Sequence, residues 1–110
     1  DQWLAPVIGD SMNERGILDG DLVHIVDANA IGYYPRTGDV VEVERVRFQG
    51  SERELTLKEV EVGPDGLLLW PRSTNPKWRE PIRLTDGFTD GGDDAVVSIR
   101  GLMLQLIRRF

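Results

Sequence analysis

The sequence predicts an all-β fold of short strands and long loops, and three observations carry that expectation. Apolar residues come in short runs rich in valine, isoleucine and leucine, a composition that suits a pleated, half-buried surface. Twelve glycines and six prolines punctuate the chain between those runs. No stretch sustains the apolar spacing of an amphipathic helix, and only Met12–Arg15 offers room for a single helical turn.

The elements follow in order. Asp21–Asp27 (DLVHIVD) is a β-branched run bounded by acids and reads as a strand. Gly32–Gly38, which encloses Tyr-Tyr-Pro-Arg-Thr, reads as a loop. Asp39–Phe48 (DVVEVERVRF) and Arg53–Val62 (RELTLKEVEV) are two longer runs separated by Gln49–Glu52, a turn composition, so together they predict a β-hairpin. The turn Gly63–Gly66 leads into a strand at Gly66–Pro71. Ser73–Pro81 carries two prolines, which cannot donate to a central ladder, and is a loop. Asp86–Asp94 (DGFTDGGDD) predicts a flexible acidic loop, and Ala95–Ile99 and Gly101–Phe110 predict two more strands. In the last of these, alternation sends Leu102, Leu104 and Leu106 to one side and Met103, Gln105 and Ile107 to the other. Both sides are largely apolar. That suits either a central strand or a face that meets a second copy across a two-fold axis, with Met103 and Ile107 on the contact side.

Bulk composition narrows the function. A chain of 110 residues fits one domain with one modest core. With 13 basic and 19 acidic residues the net charge is -6, so the domain lacks the electrostatic term that supplies most non-specific affinity for nucleic acid. There is no cysteine, which removes disulfides and thiolate metal sites and is compatible with a cytoplasmic location. No apolar run is long enough to span a membrane, and no cofactor or metal site is expected. The chain begins at Asp1 rather than methionine, which leads us to expect a piece of a longer protein with an upstream segment.

Ser11 lies at the centre of Gly9-Asp10-Ser11-Met12, a loop too broken for a helix and too polar for a buried strand. A serine needs a neighbouring base before it becomes a nucleophile. His24, the sole histidine, sits inside an apolar run where a packed structural role is the ordinary one. Asn13 stands where the nucleophile elbow requires glycine. The other available base is lysine, which serves only when burial drives it toward the neutral amine. Eleven of the 13 basic residues are arginine, leaving Lys58 and Lys77. Lys77 lies in a proline-flanked loop and faces solvent by that reading. Lys58 lies mid-strand, on a face shared with Thr56, Val60 and Val62. It is either a snorkelling surface lysine or a buried amine.

The pattern Val7-x-Gly9-Asp10-Ser11-Met12-x3-Gly16-Ile17-x-Asp19-Gly20-Asp21-x-Val23 closely resembles the catalytic-serine segment of the LexA-like self-cleaving repressors, a family that includes UmuD and phage repressors. Thr37-Gly38-Asp39-Val40-Val41, Leu55-Thr56-Leu57-Lys58, Leu68-x-x-Pro71, Asn75-Pro76, Pro81-Ile82 and Gly101-Leu102 to Arg108 resemble later pieces of the family in the same order. The resemblance implies the β fold shared by LexA and the signal peptidases, with residues 1–110 as a single C-terminal peptidase and dimerisation domain. It implies Ser11 as nucleophile, Lys58 as general base, and the backbone N–H groups of Asp10 and Ser11 as oxyanion donors. Asp19, Gly20 and Asp21 are then structural and Met12 packs beside the cleft. It further implies homodimerisation, stimulation by the RecA filament on single-stranded DNA in an SOS response, and contact with DNA only through an upstream domain. The serine and lysine are farther apart in sequence than in LexA itself, which fits a longer 32–38 loop and a longer hairpin around Gly50. The family's Ala-Gly or Cys-Gly cleavage pair is absent from this chain, so the self-substrate is expected upstream. Two other readings share this pattern: an oligomerisation module with an inert site, and a UmuD-like or signal-peptidase-like serine peptidase.

Overall fold

The computed structural model describes residues 1–84 and 95–108. The acidic loop expected at 86–94 and the last two residues of the expected closing strand lie outside them. Seven strands form one antiparallel sheet: β1 (Gln2–Pro6), β2 (Leu22–Asp27), β3 (Val40–Arg47), β4 (Glu52–Gly63), β5 (Gly66–Trp70), β6 (Ile82–Leu84) and β7 (Val96–Ile107). Their order across the sheet is β1-β2-β7-β3-β4-β5-β6. The all-β expectation therefore holds. The single helical turn near Met12 is a 3-10 turn at Asn13–Arg15, and a second one, Phe48–Gly50, closes the β3–β4 hairpin.

β3 lies near the centre of the sheet and its first four residues are all buried, because the sheet carries core on both faces. Val41 and Val43 point into one cluster with Val60, Leu69, Ile82, Leu84 and Val97. Val40 points into the other, with Met12, Ile17, Val23 and Ile25. Strand alternation thus divides one valine-rich run between two cores. Met12 and Ile17 belong to the second core although they lie on a loop, so residues 7–21 fold over that face of the sheet.

Three expectations need correction. β1 and β6 have no counterpart in the sequence reading: among the described residues both pair along one side only and both are short, so their identity comes from the neighbour they join. The closing strand is single, where the sequence suggested two. The pairing of Glu42 with Gly101 and of Val43 with Ile99 leaves Arg100 as an extra residue, so the ladder bulges there without breaking. A second irregularity falls at Leu104, since His24 pairs with Gln105 and Ile25 with Met103. That extra residue resets the alternation. Met103 and Leu106 both pack into the second core, Leu102 packs into the first, and Leu104 and Ile107 are exposed. Met103 is accordingly half-buried against the second core.

Candidate active site

The serine loop owes its shape to glycine and aspartate. Gly9, Gly16 and Gly20 all have positive φ, the region glycine enters without a Cβ penalty. Asp19 accepts the Gly9 N–H at 2.7 Å, and Asp21 accepts the Leu18 N–H at 2.8 Å. The Gly20 N–H donates to the Val7 carbonyl and the Val7 N–H to the Asp21 carbonyl, at 2.9 and 2.8 Å. These contacts bear out the structural reading of Asp19, Gly20 and Asp21. Arg108 adds a tie that the sequence did not reveal. Its guanidinium donates to both carboxylate oxygens of Asp21, at 3.0 and 2.8 Å, and to the Gly16 carbonyl at 2.6 Å. The Arg108 hydrogen bonds, followed by the Leu18 N–H, hold the Asp21 carboxyl down at about 2.

A second set of contacts joins this loop to the segment after β5. The Arg72 N–H donates to the Ser11 carbonyl at 2.8 Å, and the Glu14 N–H to the Arg72 carbonyl at 2.9 Å. Ser73 donates its hydroxyl to the Asp10 carbonyl at 2.7 Å. The Asp10 carboxylate accepts from Asn75 at 3.1 Å on one oxygen and from the Trp78 indole N–H at 2.9 Å on the other. Asn13 and Thr74 exchange a further pair of bonds. The loop read as merely proline-broken is therefore the clamp on the serine loop. Asp10 and Trp78 are 68 positions apart, so no local pattern announces their contact.

Lys58 is buried, at 4% exposure, on the face it shares with core residue Val60. Its Nζ donates to the Leu57 carbonyl at 3.3 Å and lies 5.6 Å from the centre of the Trp78 ring. Burial lowers its pKa to about 8; the Glu54 carboxylate pulls the other way, and Arg45 adds to the lowering. The surface-snorkel alternative is thus excluded. Lys77 is exposed, and its Nζ lies 5.0 Å from the centre of the same Trp78 ring. His24 is half-buried between Gln2 and Gln105, at 2.6 and 3.2 Å, as a structural residue on the opposite face of β2 from Val23 and Ile25.

A cleft of about 310 Å³ opens beside the serine. Ser11 and Met12 line it, together with Trp78, the 5–8 segment, Leu55–Leu57 of β4, Val23 and Glu42. Met12 is 2% exposed and packs beside the cleft as the sequence suggested. Lys58 is not part of the lining; Trp78 connects the two, being both a wall of the cleft and the ring over the lysine. Ser11 is half-buried. The site holds a hydroxyl at the mouth of an apolar cleft with a clamped turn beneath it, while the desolvated amine stands outside the lining, beside the Trp78 ring.

No protein-family profile matches the chain. It is 36% identical over 107 residues to the LexA repressor 1 of Xanthomonas axonopodis pv. citri (strain 306). The same identity and coverage hold for the LexA repressor 1 of Xanthomonas oryzae pv. oryzae and the LexA repressor 2 of Pseudomonas syringae pv. tomato. The match takes in 97% of this chain and 43% of each relative, so the chain spans about two-fifths of the length of the curated relatives it matches. Across nearly its whole length the chain is LexA-like in sequence, carried on a seven-stranded antiparallel sheet.

Proposed function

We propose that this chain is the self-cleaving peptidase domain of a LexA-like repressor, with Ser11 as nucleophile and Lys58 as general base. The observation that carries the reading is the buried lysine: an amine whose pKa has fallen to about 8 is the group a serine needs, and no arginine could replace it. In this reading the Ser11 hydroxyl loses its proton to the neutral Lys58 amine as its oxygen attacks a peptide carbonyl. The oxyanion is met by the backbone N–H groups of Asp10 and Ser11, held by the Asn75 and Trp78 clamp on the Asp10 carboxylate. The lysine then returns its proton to the departing amine, and water releases the acyl group by the reverse sequence. The LexA resemblance extends this to intramolecular cleavage of an upstream segment, stimulation by a RecA filament, and release of an upstream DNA-binding domain.

The same resemblance supports a homodimer through β7. Pairing of β3 with β7 stops at Val41–Leu102, so among the described residues the β3-side edge of β7 has no partner beyond Leu102. Leu104 and Ile107 are exposed there. A second copy pairing along that edge would cover them, which moves the contact from Met103 to Leu104 and Ile107.

A peptidyl fluorophosphonate tests the enzyme reading. Mass spectrometry should find one adduct, on Ser11, lost in Ser11→Ala and nearly lost in Lys58→Arg. A wild-type chain that stays unlabelled would favour the inert oligomerisation module. Light scattering at twice the 12.4 kDa chain mass tests the dimer.

A further inference from the structure

Glu42 interrupts the run Val40-Val41-Glu42-Val43, and the fold does not turn it out to water. It is 8% exposed, on the core face of β3, opposite Leu57 of β4 and Gly101 of β7. Two residues on, Glu44 shows how the sheet neutralises an acid: Arg53 and Arg100 both bind its carboxylate. Among the described residues Glu42 has no such pairing. Its hydrogen bond comes from the neutral Trp3 indole, and Arg100 and Arg53 reach it only through space. A carboxylate has about four acceptor sites, so one neutral donor leaves it poorly satisfied for its burial. Desolvation accordingly raises its pKa.

What Glu42 does face is the cleft. It is the one ionisable side chain among the described residues lining it; the others are carbon, apart from the Ser11 and Thr56 hydroxyls and the Trp78 indole. The rim also carries Ile8 and Leu55, exposed at 86% and 47%. An apolar trough with exposed apolar lips and one acid suits an extended peptide with a basic side chain at a single position. Charge complementarity and unused acceptors both select that occupant over an acidic or wholly aliphatic one.

We propose that Glu42 forms a specificity subsite for an arginine or lysine side chain of the peptide segment held in the cleft. This rests on the peptide-binding role proposed above. The bound guanidinium would donate to the Glu42 oxygens that Trp3 leaves free, while neighbouring residues of the segment pack on Leu55, Leu57 and Val7.

The test uses the Ser11→Ala chain, which cannot turn over, and dye-labelled decapeptides of hydrophobic background in which each position is in turn arginine or norleucine. Fluorescence anisotropy should show arginine preferred by about tenfold at one position only. Glu42→Gln keeps the shape and an acceptor for Trp3, and should remove that preference while changing norleucine-peptide affinity by less than about twofold. Glu42→Val, matching its neighbours, should invert it. No arginine preference at any position, no measurable binding of any peptide, or a preference that survives both substitutions would overturn the subsite. Phosphonate labelling of Ser11 in the parent chain is read separately. Its absence would sink the enzyme reading and leave the arginine preference to be judged on its own.

Discussion

Raising the pH should switch on the serine along the titration of Lys58, and the size of the effect follows from burial. A lysine at its ordinary pKa of 10.5 would be about 0.03% neutral at pH 7; with the pKa near 8 the neutral share is about 10% at pH 7 and about 90% at pH 9. The rate of Ser11 labelling by a fluorophosphonate should therefore rise about tenfold between pH 7 and pH 9 and level off above it. The fold survives that range by the same chemistry. A lysine whose folded pKa lies below its unfolded value makes folding release a proton, so stability contributed by Lys58 grows as pH climbs from about 8 toward 10.5. Tyr33 opposes this only higher up: its phenol, half-buried and hydrogen-bonded to Asp39, has its pKa raised, and stability falls as pH passes the ordinary tyrosine value of 10.0. The labelling is followed by stopped-time mass spectrometry, with Lys58→Arg as control. A profile that continues to climb toward pH 10.5, or one that is the same in Lys58→Arg, would refute the assignment of Lys58 as base.

Three further outcomes follow from the contacts. A Cβ on Gly101 would lie 2.2 Å from the Ile25 methyl and 2.8 Å from the Val26 carbonyl of paired β2, so Gly101→Ala should cost about 3 kcal/mol in urea denaturation; a change within about 0.5 kcal/mol would refute that packing. Trp78→Ala should uncover Lys58 and shift the labelling midpoint upward, whereas Trp78→Phe keeps the ring and the midpoint but loses the Asp10 bond; equal midpoints in all three chains would rule out Trp78 as the shield. The Asp21 carboxyl, held at about 2 against an ordinary 3.8, contributes stability that is fully present above about pH 4 and lost as pH falls through about 2. Acid melting of Arg108→Met against wild type should show a gap that is constant above that window and closes within it, and a pH-independent gap would count against the ion pair.

How much of this was legible depends on how local the cause is. β2, β3, β4 and β5 each announce themselves by a β-branched or leucine run between turn residues, because burial on a sheet face is a property of consecutive side chains. Gln2–Pro6 and Ile82–Leu84 carry too few such residues, and they become strands by pairing with β2 and β5. The bulges at Arg100 and Leu104 leave no mark in composition, yet the second decides that Met103 packs inward. At the site, the family pattern pointed to Ser11 and Lys58, and alternation placed Lys58 on the Val60 face. Asp10–Trp78 and Asp21–Arg108 were silent because their partners lie 68 and 87 positions apart. Glu42 did carry a signal, an acid inside a valine run, which a reading based on apolar content alone passes over.

The tie between Arg108 and the serine loop sets an order on the making of the site. During synthesis Ser11 leaves the ribosome before the segment that clamps it, 72–78, and well before Arg108. Pairings of such long sequence separation form slowly and late, since the loop between the partners must close before their contacts reward it. A nascent or truncated chain would then display the hydroxyl without its turn, its shielded amine or its acid partner. In the proposed peptidase that timing is a safeguard: the nucleophile stays unassembled until the 72–78 segment and Arg108 have both been made.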